Sequence, residues 1–290
     1  MDPTTSMYVS QAIHGIAYGM ILFLIASGLN IIFGMMGILN LAHASFFMLS
    51  AYFCHQVVKI TGNFWIGLLL APIFTALIGI VLERVFLRRI HAFGHLGELI
   101  LTLGIGQVIL AIVKIFWGTE SLPVDVPPIL SGMIGAGGLN YPIYRLFVIG
   151  LSVVVLIFMV LLLYGTRLGK IVRAAVSDRD MVNALGINIP VVFMAVFGIG
   201  TWLAGVSGVA IAPILTVFPG LADQVGMDAF IVVVTGGFGS LSGAFIVAII
   251  FGLLSSFGVQ FLSQLAPVLM VGFMAIVLAF RPNGLFGVEE

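Results

Sequence analysis

Charged residues are scarce in this sequence of 290 residues. Asp, Glu, Lys and Arg make up only 8% of it and hydrophobic residues 61%, whereas an ordinary soluble domain carries roughly 25% charged residues. A water-soluble fold is therefore excluded. Because a spanning helix needs about 20 mostly apolar residues, the apolar runs supply about eight to ten crossings and leave only short connections. We predict a single transmembrane domain over residues 1–290.

Cysteine and net charge are almost absent as well. Cys54 is the single cysteine, which excludes an intrachain disulfide. The formal net charge is zero, so the charge balance gives no support for a nucleic-acid partner. No Lys or Arg precedes the first apolar run, so the basic region of a cleavable signal peptide is missing, and we expect the first span to be retained.

Eight apolar segments have the length of full membrane spans. They lie near residues 8–28, 41–58, 64–86, 97–117, 143–164, 191–212, 241–259 and 264–280. Two shorter apolar stretches, 29–39 and 229–239, are interrupted by glycine. Irregular backbone at membrane depth is tolerated only beside protein or a watery cavity, so both are interpreted as broken half-spans that line a solute path. The predicted fold is an all-α, polytopic membrane protein with about eight full transmembrane helices and two short broken elements.

The two glycine-interrupted stretches resemble each other. When residues 31–42 are aligned with residues 233–244, Gly34 matches Gly236, Gly37 matches Gly239, Leu39 matches Leu241 and Ala42 matches Ala244. Because Gly, Leu and Ala are common in this chain, the similarity fits an internal repeat and chance equally well. A true repeat would place the two stretches face to face around the solute path.

Basic residues cluster in two connections between spans. Seven of the 11 Lys and Arg are Arg84, Arg88, Arg89, Arg167, Lys170, Arg173 and Arg179. The positive-inside rule places both connections in the cytoplasm, including a loop at about 165–190, and places the loop at about 118–142, which lacks basic residues, outside. Both termini lie inside if the broken stretches cross the membrane, and both lie outside if they re-enter.

Ionisable side chains are nearly missing from the middle of the predicted spans, where only His14 and His43 could lie deep. A proton- or ion-coupled transporter usually needs such groups. The pair Gly169-Lys170 lacks the earlier glycine of a phosphate-binding loop, so the chain has no ATPase of its own. We predict a transport protein without enzyme activity, cofactor or metal, in which active transport requires a partner.

An intramembrane serine protease is the competing class. The segment Gly205–Gly208 contains Ser207 and resembles the serine motif of rhomboid proteases. In that family the histidine base follows the serine, whereas the last histidine here is His95. A cluster of small residues in a spanning helix is far more often a packing surface, so the protease is disfavoured.

The most polar connection runs from Arg167 to Ile189. Ser177 and Asp180 have the spacing of a capping box, and Gly186 is typical of a helix C-terminal stop. One apolar side of the short helix between them is formed by Met181, Val182 and Leu185. Two interpretations remain open: a surface helix lying on the membrane, or a docking knob that passes a rigid-body motion into the membrane.

Four blocks of this sequence resemble, in order, the permeases of branched-chain amino acid ABC importers, particularly the LivH-type subunit. They are GLNIIFGMMGILNLAHASFFMLSAY, RLGKIVRAAVSDRDMVNALGIN, GGFGSLSGAFIVAII and RPNGLFG. The resemblance implies a subunit of the bacterial cytoplasmic membrane, in contact with lipid, that pairs with a second homologous permease. It also implies two cytoplasmic ATPase subunits and an extracytoplasmic solute-binding protein.

The resemblance assigns roles to particular residues. The ATPase-coupling helix is expected to comprise Ser177, Asp178, Arg179, Asp180, Met181, Val182, Leu185 and Gly186. Apart from the resemblance, the solute pathway is expected between the two broken elements. Its expected polar residues are Asn30, Asn40, His43 and Ser45, and Gly34, Gly37, Gly236, Gly237 and Gly239 are expected to allow close backbone approach. For His43, a hydrogen bond that packs helices is an equally good interpretation.

The sequence departs from the family pattern at Asn40–Ser45. Related permeases tend to have Asn-Phe-Ala-His-Gly followed by an acidic residue, and this chain has Ser45 at the acidic position. This departure leaves the solute open. Branched-chain, hydrophobic amino acids are expected, and urea or short amides fit a related permease. A passive channel or facilitator that needs no ATPase is the remaining alternative.

Overall fold

The computed structural model describes residues 3–136 and 139–287. The α-helices are α1 (Pro3–Met36), α2 (His43–Thr61), α3 (Phe64–Leu82), α4 (Arg88–Ile90), α5 (Gly94–Trp117), α6 (Ile143–Val160), α7 (Arg167–Ser177), α8 (Arg179–Ala184), α9 (Ile189–Ile211), α10 (Leu221–Gly236), α11 (Leu241–Phe261) and α12 (Ala266–Phe280). Short π-helical turns at Glu83–Leu87 and Leu161–Gly165 extend α3 and α6. Single 3₁₀ turns lie at His91–Phe93 and Pro128–Leu130. The all-α prediction is confirmed.

A small hairpin interrupts the helical pattern in the connection between α5 and α6. Strands β1 (Met133–Ala136) and β2 (Leu139–Pro142) pair antiparallel, with Ile134 opposite Tyr141. Earlier in the same connection, Leu122 pairs with Val217, which follows α9. This connection therefore forms a small ordered cap on one end of the bundle, and we call that end the hairpin end.

Within residues 3–136 and 139–287, six helices are long and apolar enough to cross a membrane. They span Thr4–Met36, Phe64–Ile90, Gly94–Trp117, Ile143–Gly165, Ile189–Ile211 and Leu241–Phe261. The two other predicted spans are helical too, as α2 and the 15-residue α12. Each of the eight apolar segments predicted from hydropathy is therefore a helix. Helix α2 is missing from the six because it contains more polar residues, and α12 because it is short.

The long helix α1 lies at the centre of the bundle. In its most apolar 18-residue window 78% of the residues are buried, against 22% in α5. It runs antiparallel to α11, because Gln11 donates to Ser256 O at 3.2 Å near one end and Asn30 donates to Ser240 O at 3.0 Å near the other. A Cβ atom added to Gly19 would lie 2.5 Å from Ala248 O. Such close packing through small residues is typical of membrane helices.

The first glycine-interrupted stretch is not a broken half-span. Helix α1 continues without interruption through Asn30 and Gly34 to Met36, and the chain breaks only at residues 37–42, where Gly37 has a φ of 68°. The prediction set the break too early because Gly34 serves close packing between elements and not a turn. We call residues 37–42 the first break.

The second break lies where the sequence predicted it. Helix α10 ends at Gly236, and residues 237–240 are irregular before α11 begins at Leu241. Gly237 and Gly239 have φ values of 98° and 77°, a region that L side chains rarely adopt. Ser240 then starts α11, since its Oγ accepts a hydrogen bond from Gly243 N at 3.1 Å. We call residues 237–240 the second break.

The uninterrupted α1 places the two termini at opposite ends of the bundle. His14, near the start of α1, forms a 3.0 Å hydrogen bond with Tyr141 OH of β2, so the start of α1 lies at the hairpin end. Leu285 N, near the C-terminus, donates to Thr235 O at the far end of α10, at 2.9 Å. The prediction that both termini share one side is therefore wrong, because one of the two expected extra crossings is part of α1.

Both basic connections lie at the end opposite the hairpin. Helices α3 and α6 start together, with the rings of Phe64 and Tyr144 5.9 Å apart, and both run away from the hairpin end. The arginines after α3 and the basic residues of α7 therefore emerge at the same end, as the positive-inside rule requires. We call this end the basic end.

Single-cysteine labelling tests this topology. In a Cys54→Ser background, Thr5→Cys and Gly132→Cys should react with an impermeant thiol reagent from outside intact cells, because both exposed sites lie at the hairpin end. Lys170→Cys should react only after permeabilisation. Labelling of position 5 together with position 170, and not with 132, would refute the assigned path of α1.

Candidate functional site

A cavity of about 1700 Å³ opens at the basic end of the bundle. It lies between the second half of α1, the ends of α6 and α7, the first turns of α5, and the second break with the start of α11. Most of its wall is apolar. Its polar and charged lining residues include Asn30, Glu98, Arg173, Ser240, Ser242 and Asn283. The cavity therefore combines a broad apolar wall with a few hydrogen-bonding groups, which is typical of a site for a small organic molecule.

Asn30 joins α1 to the second break. Its Nδ2 donates to Ser240 O at 3.0 Å, and its Oδ1 accepts from Gly239 N at 3.2 Å. Only 2% of Asn30 is exposed. The backbone groups of a broken helix lack helical partners, and leaving a buried one unpaired costs about 1–3 kcal/mol. One side-chain amide thus satisfies a donor and an acceptor of the break.

The two glycine-interrupted stretches face each other at this point. A Cβ atom added to Gly34 would lie 3.2 Å from Gly239 Cα, and the rings of Phe33 and Phe238 are 4.3 Å apart at their centroids. Glycine on both sides lets the backbones approach where any larger side chain would separate them. This is the juxtaposition expected of an internal repeat.

The C-terminal segment 281–287 forms one edge of the cavity, which the sequence analysis did not anticipate. Leu285 N donates to Thr235 O at 2.9 Å and Phe286 N donates to Gly236 O at 3.1 Å. These bonds satisfy the last carbonyls of α10, which have no partner within the helix. A Cβ atom added to Gly237 would lie 2.8 Å from Gly287 Cα. In the sequence, the block RPNGLFG was the one sign that this segment matters. It resembles the same block in the permease family, but it does not indicate where the segment lies in the fold.

Four of the nine predicted pathway residues line the cavity, namely Asn30, Gly34, Gly37 and Gly239. The other five do not. Gly236 packs on α11, where a Cβ atom would meet the Gly243 carbonyl carbon at 2.7 Å, and Gly237 packs on the C-terminal segment. These two glycines shape the second break from behind and do not face the cavity.

The polar residues around the first break have structural contacts. His43, only 3% exposed, places Nε2 3.0 Å from Ile25 O, which supports the helix-packing interpretation. Asn40 Oδ1 accepts from Ala42 N at 3.1 Å and so stabilises the turn before α2. Ser45 faces α5, since a Cβ atom on Gly106 would lie 3.1 Å from its Oγ.

Charged groups at the cavity mouth were missed as site residues. Glu98, 4% exposed, accepts a 2.6 Å hydrogen bond from His91 Nδ1 and has His95 3.4 Å away. Arg173 lies over the ring of Tyr164 at 4.5 Å. The sequence placed Glu98 at the start of a predicted span and Arg173 in a basic connection, because spacing alone does not reveal that α5 and α7 converge on one opening.

The cavity is closed towards the hairpin end. Tyr18 OH of α1 donates to Asp228 Oδ2 of α10 at 2.5 Å. Beyond it, Gly15 of α1 packs on α11, where a Cβ atom would lie 2.8 Å from Leu253 Cα. The contacts of α1 with α10 and α11 thus leave the cavity open at the basic end.

The segment that was predicted to be the coupling helix does form a short helix, α8, but with a different cap. Asp178 begins α8, and its Oδ1 accepts a hydrogen bond from Met181 N at 2.9 Å. Ser177 is the last residue of α7, so the capping box of Ser177 with Asp180 is wrong. The side chains of Ser177, Arg179 and Asp180 lie outside the described part of the structure. Gly186 has a φ of 82° and ends the helix as predicted.

The apolar residues of α8 point in two directions. Val182 is only 3% exposed and packs into the hydrophobic core, whereas Met181 and Leu185 are 58% and 72% exposed. The prediction that all three form one docking face is therefore wrong for Val182. Val182 anchors α8 to the bundle, and Met181 and Leu185 remain free to contact another protein.

A family model and two individual proteins that resemble this chain are all described as permease components of branched-chain amino acid transport systems. The family described as "Branched-chain amino acid transport system / permease component" matches residues 11–280. The permease protein BraD of the high-affinity branched-chain amino acid transport system of Pseudomonas aeruginosa is 30% identical, over 99% of this chain and 98% of BraD. The permease protein LivH of Escherichia coli is 26% identical, over 98% of this chain and 96% of LivH.

A solved structure shares the fold. PsaBC from Streptococcus pneumoniae, in complex with Fab, matches with a TM-score of 0.51 and 12% identity, over 93% of this chain and 91% of the matched chain. At this identity the likeness concerns the arrangement of helices alone.

Gly237→Ala should loosen the edge of the cavity. The φ of 98° at Gly237 strains any L side chain by about 1–3 kcal/mol, and the methyl group would collide with Gly287. We expect faster hydrogen exchange and proteolysis of segment 281–287 and a lower melting temperature. Gly150→Ala on α6 is the control, because an added Cβ meets nothing within 4 Å there. Equal protection of the segment in both variants would contradict its attachment at Gly237.

Proposed function

Because this chain belongs to the family of permease components of branched-chain amino acid transport systems, we propose that it carries branched-chain, hydrophobic amino acids inward across the bacterial cytoplasmic membrane. In this proposal the chain is the multi-pass permease subunit of an ABC importer and catalyses no reaction itself. ATP is hydrolysed by two cytoplasmic ATPase subunits. An extracytoplasmic binding protein delivers the solute at the hairpin end.

The observation that carries the proposal is the one-sided cavity between α1 and the second break. Its apolar wall, with residues such as Leu156 and Phe245, suits a hydrophobic side chain. Its amide and hydroxyl groups at Asn30, Ser240 and Ser242 suit the polar end of an amino acid. Opening at the basic end and closure at the hairpin end correspond to an inward-facing state of alternating access.

Alternating access requires the closed contacts to separate. In the outward-facing state the contacts of α1 with α10 at Tyr18 and Asp228 would open, and the cavity at the basic end would narrow. Asn30 would keep the second break attached to α1 during this motion, since its two hydrogen bonds join them directly. A second homologous permease would supply the facing wall of the pathway.

Coupling to ATP hydrolysis is assigned to α8. Met181 and Leu185 are exposed apolar side chains at the basic end, and Val182 and the cap at Asp178 fix the helix to the rest of the chain. A short helix held in this way moves as a rigid body with α7 and α9. We assign Met181 and Leu185 to a cleft in an ATPase subunit.

The alternatives are less well supported. Both relatives described above are named for branched-chain amino acids, so a urea or short-amide permease is not favoured. A passive facilitator would have no use for an exposed apolar knob at the basic end. The uptake experiment described next would detect either of these two alternatives.

Reconstituted uptake tests the proposed function. In proteoliposomes that contain the chain with its cognate second permease, ATPases and binding protein, labelled leucine, isoleucine and valine should accumulate only with internal ATP, and excess urea should not compete. Accumulation of urea instead of leucine would contradict the solute assignment. Leucine equilibration without ATP would indicate a facilitator.

The substitution Leu185→Asp tests whether α8 couples the permease to the ATPase subunits. A buried, unpaired carboxylate costs several kcal/mol in an apolar contact, so co-purification of the ATPases and ATP-driven uptake should both be lost while membrane insertion stays normal. Met133→Asp is the control, because Met133 is 69% exposed on the hairpin at the opposite end. Full coupling in Leu185→Asp would remove α8 from the proposed mechanism.

A further inference from the structure

A second cavity, of about 710 Å³, lies on the flank of the bundle between α2, α3 and α5. We call it the flank cleft. Its walls are apolar throughout, from Leu82 and Phe86 near the basic end to Phe116 and Trp117 near the hairpin end. The indole N–H of Trp117 donates to Gln56 Oε1 at 3.1 Å, so it is not available to a ligand. The flank cleft can therefore accept only a hydrocarbon group.

The size of the flank cleft restricts what can fill it. A transmembrane helix is about 10 Å across and 30 Å long and occupies on the order of 2000 Å³, so it could insert only some of its side chains into a cleft of about 710 Å³. An extended acyl chain is much thinner and fits along α5. An empty apolar cleft within a bilayer would forfeit the dispersion contacts of its whole lining.

Positive charge lies at one mouth of the flank cleft. Arg84 and Arg89 flank the lining residue Phe86 in the sequence, two positions before it and three positions after it. Arg84 and Arg89 are exposed, and neither forms a salt bridge with a carboxylate among residues 3–136 and 139–287. This mouth is at the basic end, where the cytoplasmic leaflet carries anionic headgroups that attract Lys and Arg.

We propose that the flank cleft binds one anionic phospholipid of the cytoplasmic leaflet, with an acyl chain along α5 and the phosphate beside Arg89. The lipid fills the space between α3 and α5 and thereby holds α5 in place. Helix α5 in turn contacts the first break, since Thr102 Oγ1 accepts from Leu41 N at 3.3 Å, and it brings Glu98 to the mouth of the large cavity. The site lies outside that cavity and is independent of the transported solute.

Gly104 allows the flank cleft to be filled without distorting the protein. It lines the cleft, and a Cβ atom added there would meet nothing within 4 Å. Gly104→Leu should therefore displace the acyl chain. Gly150→Leu on α6 is the matched control, because Gly150 is equally unobstructed and lies outside the cleft. In both variants leucine replaces glycine in a helix, so any change in helix propensity is shared.

The test measures lipid retained by the full permease complex, purified in mild detergent and supplied with dioleoyl phosphatidylglycerol or dioleoyl phosphatidylcholine, by native mass spectrometry. Wild type and Gly150→Leu should retain one phosphatidylglycerol, and Gly104→Leu should bind it about tenfold more weakly, which corresponds to about 1.4 kcal/mol. Arg89→Gln should lower the preference for phosphatidylglycerol over phosphatidylcholine, while Lys170→Gln in the other basic segment should not.

Three results would overturn the proposal. Unchanged phosphatidylglycerol retention in Gly104→Leu would remove the acyl chain from the flank cleft. Equal binding of both lipids to wild type would remove the anionic headgroup. Loss of pairing with the second permease in Gly104→Leu, without a change in bound lipid, would show that the partner protein occupies the flank cleft.

Discussion

The two hydrogen bonds of the Asn30 side chain are the contact on which the rest of the structure depends. Within the hydrocarbon region no water is available, so each backbone N–H and C=O group needs a partner inside the protein. The second break removes helical partners at membrane depth. Asn30 supplies both a donor and an acceptor to it, and the C-terminal segment satisfies the end of α10. Because Asn30 and the C-terminal segment supply these hydrogen bonds, the irregular backbone of the second break can line a cavity at membrane depth.

The position of Asn30 in an uninterrupted helix has further consequences. Because α1 extends from Pro3 to Met36, the same helix holds the second break near its C-terminal end and contacts α10 near its middle, through Tyr18 and Asp228. A motion that separated α1 from α10 near Tyr18 would therefore also move the cavity wall that Asn30 and Gly34 form. The small residues between α1 and α11 keep those helices close, which favours movement of α1 and α11 together over movement of α1 alone.

Much of the fold follows from the sequence, since long apolar runs specify helices in a membrane. All eight predicted spans are helices. The end of α1 could not be predicted in this way, because a glycine inside a packed membrane helix and a glycine at a break look alike in sequence. Gly34 is the first kind and Gly37 the second. The location of the termini was wrong for the same reason.

The candidate site was predictable only in part. Glycines with left-handed backbone, such as Gly239, marked the second break correctly. Tertiary packing decided the other positions: His43 hydrogen-bonds to α1, and Val182 turns into the core. Glu98 and the C-terminal segment reach the cavity through contacts between residues far apart in the sequence. No local pattern encodes such contacts, and the apolar lining of the cavity resembles any other lipid-compatible surface.

The central claim is that the cavity beside the second break is the solute path and opens to the cytoplasm. Ser242 is exposed and lines the cavity, so Ser242→Cys in the Cys54→Ser background measures this directly. An impermeant thiol reagent should modify this cysteine in inside-out vesicles without ATP, should not modify it from the opposite side, and should block leucine uptake once attached. If the modified protein transports leucine at the unmodified rate, or if position 242 reacts only from outside, the account is contradicted.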